Sequence, residues 1–244
     1  ASAVKRGACD LYVSPTSYVV PSLIGVHVPC VPIVHDLIAF RREPHEYKAS
    51  LIERLTLGRA VRCSSHVCTV SESTKTDLLA RYPKLAPEKV VSIFAGPSMP
   101  RALGSRESPI ILCVGTLCPR KNQLRLIQAF SSLAPEIRGT SELLLVGGRG
   151  WQDDEIVRLA AATPNVRWLQ YLSYAELQEL YGQAMFVALP SLYEGFGMAV
   201  LDAMTQGIPV LMSDRGSLQE VAGDAAMYVD PENIPSIASG LAQL

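Results

Sequence analysis

Short apolar runs alternate along this chain with longer stretches of helical periodicity. The runs are Asp10–Val13, Val31–Val34, Ser65–Val70, Val90–Ile93, Ile110–Val114, Glu142–Val146, Val166–Leu169, Met185–Leu189, Pro209–Met212 and Ala226–Val229. Short runs rich in Val, Ile and Leu fit strands buried on both faces. Between them the periodicity predicts helices over 45–62, Glu72–Ala80, a segment ending at Phe130, Gln152–Ala162, Tyr174–Tyr181, Met198–Gln206, Ser217–Val221 and from Ile234 onward. In the first of these, Tyr47, Leu51, Leu55 and Leu57 form the expected apolar face, with Glu53 and Arg54 outward. Ser71 and Ser173 stand at N-cap positions and Gly207 at a C-terminal cap. Strand–helix units with short connections imply parallel sheets covered on both faces. The Pro-, Gly- and Ser-rich stretch 95–109 reads as a linker. Two such sheets are therefore expected, in domains 1–103 and 104–244.

In open α/β sheets, ligands collect at the carboxyl ends of strands. His35 and Asp36 follow the run Val31–Val34, where Asp36 could equally cap a turn and His35 bond the backbone. Ile110–Val114 leads into Gly115, Thr116, Leu117, Cys118, Pro119, Arg120, Lys121 and Asn122. Adjacent Arg and Lys at a helix start oppose the macrodipole, a cost that a bound anion would explain. Glu142–Val146 leads into Gly147-Gly-Arg-Gly150, which is compatible with close ligand approach. Tyr171 and Leu172 follow Val166–Leu169. Met185–Leu189 leads into Glu194, Gly195, Phe196, Gly197 and Met198, a glycine turn into a helix start that suits an anion. Asp202 lies one turn into that helix, so the carboxylates of Glu194 and Asp202 are expected to face one crevice. Phosphate binding between two hydroxyl-accepting carboxylates suits a nucleotide sugar.

Composition narrows the choice. The chain has 244 residues, 48% of them hydrophobic, and a net charge of −1. That is ample for a large core and gives no reason to expect nucleic acid. Pro and polar residues interrupt every apolar run before it could span a bilayer, and residues 1–10 lack a signal-peptide layout. A soluble chain is expected, compatible with peripheral membrane contact. Six cysteines, at 9, 30, 63, 68, 113 and 118, form no Cys-x-x-Cys pair. Most adjoin apolar runs and read as free thiols in a reducing, cytoplasmic setting rather than as a metal site. No Gly-x-Gly-x-x-Gly opens either strand series, which disfavours a dinucleotide-dependent oxidoreductase.

Four segments, Val114–Asn122, Glu194–Met198, Pro209–Ser213 and Gly216–Glu220, resemble the C-terminal half of the retaining glycosyltransferases of family 4. Val34–Leu37 and Thr69–Ser73 resemble the later part of that family's N-terminal half. The resemblance implies the GT-B fold, two Rossmann-like doubly wound domains. Its opening strands and glycine-rich loop are not found in this sequence, so the N-terminal domain is expected to be incomplete, as is the C-terminal crossover helix. It further implies transfer of a sugar, with retention and without metal or other cofactor, from a nucleotide sugar to a glycan or lipid-linked acceptor. The wording around Pro119–Asn122 and Gly147–Trp151 is most similar to members that use GDP-mannose, with a UDP-sugar as the other donor. Bacterial surface-polysaccharide assembly at the inner membrane face is the family setting.

Residue roles follow from the resemblance. Arg120 and Lys121 would neutralise the leaving diphosphate, and His35 would contact the transferred sugar. The backbone from Gly195 to Met198, with Gly115 and Thr116, would hold donor sugar and phosphates. Glu194 would bond a sugar hydroxyl and Asp202 the ribose, although the family usually has Glu at that position. Tyr171, Leu172 and Gly148 would seat the base. The alternative is a module that binds a nucleotide sugar but has lost transfer. Oligomeric state is not legible.

Overall fold

The computed structural model describes residues 9–16, 18–24, 28–41, 47–101 and 108–244. The chain forms two compact units, Ala1–Ala95 and Gly96–Leu244. Residues 1–8, 45, 46 and 102–107, on which parts of the N-terminal, helix and linker readings fall, lie outside the described residues.

In the first unit, β1 (Tyr12–Ser14), β2 (Cys30–Val34), β3 (Val67–Thr69) and β4 (Val90–Ser92) pair in parallel, in that order. Helices α1 (Val19–Ile24), α2 (Tyr47–Cys63) and α3 (Glu72–Arg81) connect them. Ser71 caps α3 as expected, its hydroxyl accepting from the Thr74 amide at 3.0 Å. The apolar face expected for α2 is corrected. Leu57, Ala60 and Val61 are buried, whereas Leu51 and Leu55 are exposed. Glu53 turns inward, with Oε1 buried and lacking a hydrogen-bond partner among the described residues. Burial and the nearby Asp36 charge push its carboxyl up to about 7. A wide apolar stripe on one helix leaves two candidate faces, and packing against Val34, Val67 and Leu78 selected the other.

The second unit contains β5 (Ile110–Val114), β6 (Glu142–Val146), β7 (Val166–Trp168), β8 (Phe186–Leu189), β9 (Val210–Met212) and β10 (Met227–Tyr228). They form one parallel sheet in the order β10-β9-β8-β5-β6-β7. The chain runs from β5 outward through β6 to β7, then returns to the other side of β5 to begin again at β8. That is the Rossmann order, and its switch point lies between β5 and β8. Period-two alternation divides the side chains between two faces. Ile111, Cys113, Leu143, Leu145, Phe186, Ala188 and Leu211 pack on one face against α4 (Gln123–Ser131), α6 (Asp154–Ala162) and α10 (Ile234–Gln243). Leu112, Leu144, Val187, Leu189, Val210 and Met212 pack on the other, against α7 (Tyr174–Gln183), α8 (Met198–Thr205) and α9 (Leu218–Ala222). The two six-residue helices, α1 and α5 (Pro135–Thr140), were not expected, because segments that short carry too little periodicity to read.

The stretch read as a linker is not loose where it is described. Met99 is buried in the second face's core, and the Pro100 carbonyl accepts from the side-chain amides of Gln178 and Gln206. Arg120 and Lys121 do not begin α4. They lie in a preceding 3₁₀ turn, Pro119–Lys121, separated from the helix by Asn122 in the left-handed conformation. They still stand near the positive end of that helix, and the anion beside them is the Glu194 carboxylate.

Candidate functional site

The loops after β5 and β8 meet across the switch point. Asn122, 2% exposed, donates through its side-chain amide to the carbonyls of Pro190 and Pro231 at 2.9 and 2.7 Å. The Leu192 amide donates to the Arg120 carbonyl at 2.8 Å. These bonds hold the β5 loop against the loops after β8 and β10 and bring three expected residues into contact. Arg120 Nη1 lies 3.0 Å from Glu194 Oε2, and Lys121 Nζ lies 2.6 Å from Glu194 Oε1.

Glu194 is buried, and its surroundings are built to keep it charged. The hydroxyl of Ser191 donates to Oε1 at 2.7 Å, alongside Lys121. Burial alone pushes the carboxyl up, but the charges of Lys121 and Arg120 and the hydrogen bonds from Lys121 and Ser191 outweigh it. The group ends below the usual carboxylate range. The backbone is held too. The Glu194 carbonyl accepts from the amide and hydroxyl of Ser217, and Ser213 donates to the Ser191 carbonyl. Gly216, at φ +63°, packs directly on this turn; a Cβ there would stand 2.2 Å from the Glu194 carbonyl oxygen. Only glycine fits both the dihedral and the space.

Arg120 and Lys121 are held differently. Nη1 of Arg120 also donates to the Tyr193 carbonyl at 2.8 Å. The Lys121 stem lies over Gly115, where a Cβ would come within 3.1 Å of Cε, and its ammonium contacts the Glu194 carboxylate.

The other expected residues are placed as follows. Gly195 and Gly197 are buried and Phe196 half-buried; Gly197, in the left-handed region at φ +103°, directs the chain into α8, where Met198 is exposed. Thr116 is exposed, and the Gly148 carbonyl accepts from the Leu117 amide. Tyr171, 85% exposed, and Leu172, packed on the second face's core, follow the edge strand β7. Asp202 is buried, and its carboxylate accepts from the Ser98 amide at 2.6 Å and the Ser98 hydroxyl at 2.5 Å. The two acids thus have separate partners: Glu194 binds cations and Asp202 ties down the segment before β5. His35 belongs to the first unit, where it is exposed and its Nε2–H donates to the Pro15 carbonyl at 2.5 Å.

Ser98, Asn122, Ser191, Ser213 and Ser217 were not read from the sequence as site residues. Ser191-x-x-Glu194 has the spacing of a capping box, which could have drawn attention to Ser191. The others lie far along the chain from the groups they hold. Among the described residues, no cluster of three or more His, Cys, Asp or Glu could hold a metal ion.

A family model for glycosyl transferases group 1 matches residues 98–244. The chain belongs to that family. This glycosyl transferases group 1 chain is 41% identical over 135 residues to the Escherichia coli O-antigen chain mannosyltransferase B, covering 54% of this chain and 35% of the relative. It is 29% identical over 212 residues to the O-antigen chain mannosyltransferase RfbU of Salmonella typhimurium, covering 85% and 58%. The chain thus spans between about a third and three fifths of the length of these two curated relatives. Among solved structures it resembles Anabaena HepE in complex with UDP-glucose, with a TM-score of 0.80 and 21% identity over 96% of this chain and 68% of that one. It also resembles WaaG, a glycosyltransferase involved in lipopolysaccharide biosynthesis, with a TM-score of 0.71 and 18% identity over 99% and 71%. The fold is therefore the expected one, Rossmann-like parallel sheets of the GT-B class.

Proposed function

We propose that this chain carries the donor-binding part of a retaining mannosyltransferase that uses GDP-mannose and acts on a glycan or lipid-linked acceptor. The observation that carries the proposal is the pairing of Arg120 and Lys121 with Glu194 at the switch point of the second sheet. It puts two cations and a sugar-hydroxyl acceptor where a Rossmann sheet binds nucleotides. The mannosyltransferase relatives support the choice of sugar.

When the anomeric C–O bond breaks, its electron pair leaves with the diphosphate, and positive charge builds on the sugar ring. Cations held before the reaction stabilise the leaving group without reorganisation and need no metal. The acceptor oxygen attacks from the face the diphosphate leaves, and its proton passes to a phosphate oxygen of that leaving group. Configuration is retained, and no protein base is required. Glu194 would hold a sugar hydroxyl, and Tyr171 and Leu172 would seat the base. The O-antigen chain mannosyltransferase relatives support, as part of this proposal, work at the cytoplasmic face of a membrane on material destined for the cell surface. Among the described residues, no helix is long and apolar enough to cross a bilayer.

Titration calorimetry with GDP, GDP-mannose, UDP and UDP-glucose tests the donor. Binding of the guanine ligands supports the proposal, and no binding of any of the four by the intact protein overturns it. Lys121→Ala should lower turnover by about 10²–10³-fold while the circular-dichroism melt stays cooperative, the range seen when one preorganised donor to developing charge is lost. Unchanged turnover would remove the diphosphate role.

A further inference from the structure

Gripping a sugar hydroxyl is not the only demand on Glu194. Its carboxylate already occupies the cations that a diphosphate would need, at 3.0 Å from Arg120 and 2.6 Å from Lys121. All three side chains are largely buried, with 7% of Glu194, 16% of Arg120 and 14% of Lys121 exposed. Water therefore screens the competition between two anions for these cations poorly.

The two cations differ in freedom. The guanidinium of Arg120 is tied to the Tyr193 carbonyl as well as to Glu194, so it has reason to stay. The ammonium of Lys121 ends a flexible four-carbon stem lying over Gly115, and its hydrogen bond runs to Glu194 Oε1. An ammonium has three donors and rotates freely, whereas a guanidinium is a rigid fork. Ser191 supplies Oε1 with a second hydrogen bond, which would remain after Lys121 turned away.

We infer that Glu194 is an internal competitor of the nucleoside diphosphate: Lys121 leaves Glu194 for the incoming diphosphate, and its return to Glu194 after transfer helps expel the spent nucleotide. Arg120 and Ser191 are positioning residues that hold the carboxylate in place through the cycle. The inference rests on the nucleotide-sugar reading of this site and adds to it a device for product release. The ammonium transfers intact between two anions, so no proton or covalent bond changes hands.

The test is a double-mutant cycle on GDP and UDP affinity, read by titration calorimetry on the full chain. Glu194→Gln keeps the size and removes the competing charge. It should bind the nucleoside diphosphate about tenfold or more tightly than the wild type, within what close charge pairs can supply at a desolvated contact. In a Lys121→Ala background the same Glu194→Gln change should have a clearly smaller effect, because only the Arg120 guanidinium remains to be contested. Equal or weaker binding by E194Q overturns the inference. So does tightening of the same size without Lys121, which would mark a general charge effect. If E194Q is unfolded on its own, saturating GDP or UDP should restore a cooperative melt by replacing the missing anion, and failure to do so also overturns the inference. A wild type that binds neither nucleotide sinks the donor-site reading itself, whereas a wild type that binds beside an E194Q that binds no better sinks only this inference.

Discussion

Asn122 shows how much one residue does at this site. It sits at φ +62°, a conformation that costs most residues about 1–2 kcal/mol and that Asn tolerates better. That kink turns the 3₁₀ segment bearing Arg120 and Lys121 into α4, while its amide bonds two proline carbonyls and its Oδ1 accepts from Arg125. Asn122→Ala removes both carbonyl bonds and adds backbone strain, so it should cost about 3–5 kcal/mol in urea unfolding. Asn122→Gly relieves the strain but not the lost bonds, and should fall between that variant and the wild type. Equal stability of all three would mean that the two loops are held by something other than this amide. The sequence showed Asn122 only as the end of a basic turn, because its partners lie 68 and 109 positions further on.

At the scale of elements, the legible features were those set by neighbours in sequence. Strands β5 and β6 fall within the expected runs, the serines at 71 and 173 cap their helices, and Ser173 completes a capping box with Glu176. The buried face of α2 was not legible, and that has a pH consequence. Burial and the Asp36 charge favour protonated Glu53, with Tyr18 and Tyr82 also close enough to feel its charge. Between an unfolded value near 4.5 and a folded value of about 7, the native state holds a proton that the unfolded chain has lost. Stability should therefore be greatest below that window and decline as pH rises through it. Glu53→Gln, which cannot ionise, should flatten this dependence and raise the melting temperature above pH 7. Thermal melts from about pH 5 to pH 8 measure it; an unchanged slope in the variant would place the titration elsewhere.

For the whole molecule, the second unit has the more complete architecture. Its six strands carry a core on each face, covered by helices that come from the same unit. Residues 96–101 belong to it through Met99, through the bonds that Ser98 donates to Asp202, and through those that Pro100 accepts from Gln178 and Gln206. Residues 96–244 expressed alone should therefore melt cooperatively and bind the same nucleoside diphosphate as the full chain. A non-cooperative melt, seen by calorimetry or loss of near-ultraviolet dichroism, would show that this unit depends on the first.

What the sequence determined by itself was local and periodic: where most strands and helices lie, and that the sheets are parallel. These follow because backbone preference and side-chain period act over a few residues and leave their mark in order along the chain. Tertiary structure alone decided that Glu194 serves as the anion for Arg120 and Lys121, that Asp202 is taken up by Ser98, and that Glu53 faces inward. Each depends on groups many residues apart meeting where little water remains, and in such a place a charge takes whatever partner the fold puts beside it.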